Sequence, residues 1–158
     1  GAGVLGLKTR YHGDYHLGQV LVTGNDFVLI DFEGEPARGF DERRAKGSPL
    51  RDVAGMLRSF DYARWSAVRR IARDAEDLAR LEPVVAEWAL ATRTTFATAY
   101  AETLDPGAPA RPADLQLLAL FEIEKALYEL RYELNNRPDW VQVPLQGLLA
   151  LAGATSAA

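Results

Sequence analysis

Two aspartates and an amide near the start of the chain have the types and spacing needed to move a phosphoryl group. His12-Gly13-Asp14-Tyr15-His16-Leu17-Gly18-Gln19 runs into a pair of short β-forming segments, and Ile30-Asp31-Phe32-Glu33 closes the second of them. Phosphoryl transfer needs a carboxylate to orient the attacking hydroxyl and accept its proton, and hard oxygen ligands for a Mg²⁺ that bridges nucleotide phosphates. Asp14, then Gln19, then Asp31 across a hairpin supply those groups. Their order is that of a kinase catalytic loop followed by its metal-binding strand end. Alone, a His-Gly-Asp is a common turn and an Asp after an apolar strand is a common cap. The combination at hairpin spacing, followed by a helix start, is what points to phosphoryl transfer.

The elements that must position these groups are legible in outline. Residues 1–47 hold the loop, a hairpin and the second aspartate, and residues 48–158 read as helical. Gln19–Thr23 and Asp26–Phe32 are rich in β-branched residues and joined by Gly24-Asn25, a tight-turn pair. Gly34–Gly47, with three glycines and Pro36, reads as a loop. Ser48-Pro49 opens a helix to about Tyr62, the hydroxyl capping free amides. Arg64–Leu81 is a second helical stretch, Pro83 restarts helix to about Thr103, and Asp105–Pro112 is a linker. Ala113–Asn136 is the strongest helix, with Leu115, Ala119, Ile123, Leu127, Leu130 and Leu134 as the expected core stripe. Val143–Leu151 is a last short helix.

The long helix has a second face, where Lys125, Glu129, Tyr132 and Asn136 recur at spacings of 4, 3 and 4. Trp140 lies just past the helix end. Sugars are bound by planar hydrogen-bonding groups against hydroxyls and by aromatic rings against apolar ring faces, and this face offers both. Its other reading is ordinary packing of Tyr128 and Tyr132 on a neighbouring helix, with Lys125–Glu129 as a surface pair.

Composition narrows the alternatives. The chain has 158 residues, 48% hydrophobic and 25% charged, with a net charge of −4 and no cysteine. These values fit one globular unit and exclude a disordered chain, a disulfide framework and a thiol nucleophile. Residues 1–64 carry nine basic and nine acidic side chains, residues 65–158 nine and thirteen. The acidic second half argues against a nucleic-acid partner. No apolar run approaches the ~18–20 residues that cross a bilayer, and the start lacks a basic signal-peptide flank. The expectation is a cytoplasmic protein, and the absent initiator Met suggests a piece of a longer chain.

Four blocks in order carry a family resemblance. They are His12–Gln19, Ile30–Pro36, Ser48–Tyr62 (Ser48-Pro49-Leu50-Arg51-Asp52-Val53-Ala54-Gly55), and Glu124–Glu129 continuing to Asn136-Arg137-Pro138-Asp139-Trp140. Together they resemble bacterial maltokinases, above all the maltokinase domain fused behind trehalose synthase. The resemblance implies the aminoglycoside-phosphotransferase, protein-kinase-like fold, of which this chain is the C-terminal lobe: mainly α with a small β-hairpin. It implies ATP as co-substrate, Mg²⁺, and phosphorylation of maltose to maltose 1-phosphate. Asp14 is implied as the catalytic aspartate, Gln19 and Asp31 as metal ligands, and Lys125, Glu129, Tyr132, Asn136 and Trp140 as the sugar site. Glu33 would support the metal, His12 would be a structural hydrogen-bonding residue, and Asp52 would brace the catalytic loop. Only about ten residues precede that loop, so the glycine-rich phosphate loop and strand lysine of an N-terminal ATP-binding lobe are missing. Two rivals remain: a glucosamine kinase of the same fold, and a non-catalytic sugar-binding lobe of a trehalose synthase fusion.

Overall fold

A computed structural model describes residues 7–109 and 111–155. Leu17–Gln19 forms a 3₁₀ turn capped by His16, whose Nδ1 accepts from the Gly18 N–H at 3.0 Å. β1 (Val20–Thr23) and β2 (Asp26–Leu29) pair antiparallel, Val20 opposite Leu29 and Thr23 opposite Asp26. Gly24 takes φ 60°, as the first position of a two-residue hairpin turn requires. β2 ends three residues before the expected Phe32. Asp31 has φ 63°, a left-handed conformation that no strand continues through. The Ile30 N–H still donates to the Gln19 carbonyl at 3.0 Å, which carries the ladder one step beyond the strands.

The segment expected to be all loop contains a short helix, α1 (Phe40–Arg44). Asp41 and Glu42 fill its first turn and Arg43 and Arg44 its last, the arrangement the helix dipole favours. Ser48 Oγ accepts from the Leu50 N–H at 3.3 Å and opens α2. α2 (Leu50–Ile71) runs unbroken past Tyr62, and α3 (Ala75–Leu104) contains Pro83 in its interior. The sequence suggested a break at residue 63 and another before Pro83; the chain instead turns once, at Ala72–Asp74. There Asp74 Oδ1 accepts from the Asp77 N–H at 2.8 Å and caps α3. Proline's fixed φ is itself helical, so Pro83, exposed here, costs one backbone bond on a solvent-facing side rather than the helix. α4 (Pro112–Asn136) leads through a 3₁₀ turn (Pro138–Trp140) into α5 (Gln142–Thr155).

α2 is the central helix and packs on α3, α4 and α5. One half of its interior is apolar: Leu50, Val53, Met56, Leu57 and Phe60 meet Phe96 and Tyr100 of α3 and Leu117, Leu118 and Phe121 of α4. Phe60 and Phe96 meet edge to face at 5.8 Å.

The other half is ionic, and it overturns the expected orientation of α4. The helix buries Glu122, Ala126, Glu129 and Glu133, while Leu115, Leu127 and Leu134 of the leucine stripe are exposed. Arg58, 2% exposed, donates to Glu129 Oε2 at 2.8 and 3.0 Å and to Asp61 Oδ2 at 2.7 Å. Arg93 of α3 reaches both Glu122 oxygens through one nitrogen, Nη2, at 2.7 and 3.0 Å. Arg137 forks onto Glu133 at 2.6 and 2.9 Å, and Tyr62 donates to Glu133 Oε1 at 3.0 Å. Buried carboxylates survive only when paired, and here each finds an arginine. Burial pushes the Glu122 and Glu129 carboxyls up, and Arg93 and Arg58 act against it.

Candidate active site

The loop before the hairpin is held from below by one carboxylate. Asp52, in the first turn of α2, accepts the His12 N–H at 2.7 Å on Oδ2 and the Gly13 N–H at 2.9 Å on Oδ1. Burial raises its carboxyl above the ordinary value, and the two backbone donors oppose that. His12 is buried, with Nε2 2.8 Å from the Ile30 carbonyl, and its ring lies 4.8 Å from that of Phe32. That bond ties the loop to the end of β2. Gly55 lets α2 pass directly beneath, because a Cβ there would sit 2.6 Å from the Tyr15 carbonyl oxygen. Thr9 and Gly47 exchange two backbone bonds of 3.0 Å, which anchors the loop's entry.

The braced loop presents Asp14. Its Oδ1 lies 3.3 Å from Lys125 Nζ of α4, and its Oδ2 lies 3.8 Å from His16 Nε2. Lys125 also reaches Glu35 Oε1 at 3.2 Å, so one ammonium joins two carboxylates. Across the hairpin end, Gln19 Nε2 donates to Asp31 Oδ2 at 3.0 Å, bringing that pair side by side in a solvent-facing position. Among the described residues no group of three or more His, Asp or Glu side chains could hold a metal. A cation on Asp31 and the Gln19 amide oxygen would therefore complete its shell with ligand oxygens and water, as Mg²⁺ usually does.

Two joined hollows of about 180 and 330 Å³ open beside Asp14, sharing Asp14, Glu35, Gly55, Lys125 and Tyr128. The larger continues past His16 and Ser59 to Tyr62, Tyr132 and Arg137. Burial, then the neighbouring Glu35, push the Tyr128 phenol up to about 12, so it stands in the cleft as a neutral donor and ring.

The five residues expected to form a sugar face are divided by the fold. Lys125 and Tyr132 line the cleft. Glu129 stands in its wall but is buried and committed to Arg58. Asn136 donates back to the Tyr132 carbonyl of its own helix at 2.8 Å, and it is not among the residues lining the cleft. Trp140 packs elsewhere, stacked on Tyr62 at 6.3 Å, with Arg69 and Arg137 over its ring at 5.2 and 5.3 Å. Glu33 is exposed and lines a separate hollow with Arg43 and Arg44. Glu35, which the sequence reading passed over, is the carboxylate that enters the cleft. Gly34 before it has a φ of 78°, which the lack of a Cβ allows.

No family model matches the sequence. Among curated proteins, the chain is 31% identical over 134 residues to a glucosamine kinase of Streptacidiphilus jiangxiensis, covering 84% of this chain and 29% of that protein. It is 35% identical over 143 residues to a glucosamine kinase of Mycolicibacterium smegmatis, covering 89% and 33%. Solved structures superpose on it as well. Glucosamine kinase in crystal form A gives a TM-score of 0.67 at 26% identity over 96% of this chain and 36% of that one. Glucosamine kinase in complex with glucosamine, ADP and inorganic phosphate gives 0.65 at 26% identity over 93% and 36%. The chain spans about a third of the length of these relatives. The mainly helical, kinase-like fold with its two-stranded hairpin is thereby established, and the chain is a distant relative of glucosamine kinases.

Proposed function

We propose that this chain is the catalytic lobe of an ATP-dependent sugar kinase, with glucosamine as the first acceptor to test. The observation that carries this reading is Asp14, held over a cleft by a loop braced on Asp52, with the Gln19–Asp31 pair at the adjoining hairpin end. The distant relationship to glucosamine kinases supports it.

In this reading a sugar hydroxyl lies against Asp14 and gives up its proton to the carboxylate as its oxygen attacks the γ-phosphorus of ATP. The bond to the bridging oxygen breaks and ADP leaves. Lys125 and the Asp52-held loop fix the direction of the Asp14 carboxylate, the kind of positioning that carries most phosphoryl-transfer catalysis. Gln19 and Asp31 would hold Mg²⁺, which when bound neutralises charge on the phosphates. Tyr128 and Tyr132 offer ring faces and hydroxyls to the sugar.

Maltose is the second reading, and one observation favours it. Lys125 already bonds both carboxylates nearest the reacting position, and Arg38 bonds Glu35 as well, which leaves less for the ammonium of an amino sugar to pair with.

The test is sugar-dependent ADP formation by the full-length protein containing this chain, with glucosamine, maltose and glucose compared by kcat/KM. Asp14→Asn should lower kcat by at least about 10²-fold, the general-base range, with sugar affinity within a few-fold. No sugar-dependent ADP formation, or a variant retaining a tenth of wild-type kcat, would overturn the reading.

A further inference from the structure

Lysine and arginine side chains line the two hollows beside Asp14, and each is already paired with a carboxylate. Lys125 bridges Asp14 and Glu35, Arg38 and Arg51 share Glu124, and Arg137 holds Glu133. A phosphoryl group passing to a hydroxyl at Asp14 therefore needs a donor that no carboxylate holds, and His16 is placed to be one. Its ring is fixed at one nitrogen: Nδ1 accepts from the Gly18 N–H at 3.0 Å, which puts the proton of the neutral ring on Nε2. Gly18 makes this possible, because a Cβ there would sit 2.7 Å from Cε1 and 2.9 Å from Nδ1 of the same ring. The Leu17 N–H donates to Ser59 Oγ at 3.1 Å and pins the turn to α2. Nε2 lines the larger hollow and lies 3.8 Å from Asp14 Oδ2, beyond hydrogen-bonding distance. Along the chain His16 falls between Asp14 and Gln19, the acceptor and nucleotide ends of the transfer.

We propose that His16 is a further catalytic residue, whose neutral Nε2–H donates to an oxygen of the phosphoryl group in flight. This role rests on the sugar-kinase reading above. As the sugar oxygen bonds to the γ-phosphorus and the bond to the bridging oxygen breaks, the hydroxyl proton passes to Asp14 and His16 keeps its own. A donor fixed in advance meets charge on the phosphoryl oxygens, and such preorganisation acts on kcat rather than on KM. The Gly18 bond also separates His16 from the role of base: the Nδ1 lone pair is taken and Nε2 carries the proton.

His16→Asn tests the donor alone. Asparagine Oδ1 replaces Nδ1 as acceptor for the Gly18 N–H, while nothing reaches the position of Nε2. In the full-length protein containing this chain, the variant should keep the wild-type denaturant midpoint and sugar KM. Its kcat should fall at least about tenfold, the worth of a hydrogen bond to a charged group. Inhibition by ADP with aluminium fluoride, a mimic of the phosphoryl group in flight, should weaken by the same factor in the presence of sugar. If His16→Asn melts early, His16→Ser, a shorter cap, takes its place under the same criteria. A smaller loss of kcat, unchanged inhibition, or a raised sugar KM at unchanged kcat would each overturn the proposal and leave the kinase reading standing. A wild type without sugar-dependent ADP formation would overturn both.

Discussion

Asp52 takes two backbone N–H bonds through one carboxylate, at 2.7 and 2.9 Å. An asparagine keeps one acceptor oxygen and turns an NH₂ toward the second donor, so either His12 or Gly13 loses its partner. Stability should fall by about 1–3 kcal/mol, the cost of an unmatched buried donor. Denaturant titration checks the loss, and faster amide exchange at Gly13 would place it in the loop. Glu129 is a sharper case, because the family resemblance put it in a sugar site while the fold gives it to Arg58. Glu129→Ala removes one partner of a buried pair and leaves the guanidinium with Asp61 alone. At pH 7 this should cost about 3–5 kcal/mol, read as a shift in denaturant midpoint at unchanged slope. A folded variant of wild-type stability that bound sugar weakly would return Glu129 to the substrate.

At the start of α3, Arg73 and then Arg80 hydrogen-bond Asp77 and hold its carboxyl down, to about 2 from an ordinary 3.8. A depressed carboxyl stabilises the fold above the unfolded-state value and loses that contribution as pH falls through the folded one. The stability gap between wild type and Asp77→Asn should therefore be constant above pH about 5 and close between about 4 and 2, in thermal melts across that range. Other elements show what the sequence reveals and what it hides. The hairpin, the Ser48 cap and the α2 core residues Val53, Met56, Leu57 and Phe60 were legible, because a tight turn, a cap and an apolar stripe are local signals. The chain reversal at Ala72–Asp74 was not, since Pro83 is a stronger local breaker than anything in Ala72-Arg73-Asp74, and packing on α2 overrides it. α4 was read inside out. Binary patterning sends charge outward, and it fails where the facing helices carry Arg58 and Arg93. A usable signal was there: Glu122, Ala126, Glu129 and Glu133 repeat at 4, 3 and 4 as regularly as the leucines. The Asp14 loop and the Gln19–Asp31 pairing were visible as motif and spacing, whereas Glu35 and the cleft needed the tertiary approach of α4.

Taken whole, the molecule exposes its hairpin. Val22, Phe27 and Phe32 are 72%, 65% and 58% exposed, and Phe40 stands nearby in sequence at 63%. Val22 and Phe27 face each other across the strands, and exposed apolar side chains grouped in this way favour association. The 158-residue chain by itself should show a concentration-dependent mass in sedimentation, and Val22→Lys with Phe27→Glu should return it toward monomer. A strictly monomeric wild type would refute that. α5 is apolar around most of its girth, with Leu145, Leu148, Leu149 and Leu151, and burial of such a helix is nearly indifferent to how it is rotated. Gly147 removes that indifference, because a Cβ there would collide with the Arg58 guanidinium. Only one rotation of α5 sets Gly147 over the arginine that also holds α2 to α4. Arg58 and Gly147 thus work as key and keyway: an ion pair joining two helices dictates the register of a third that carries no charge of its own.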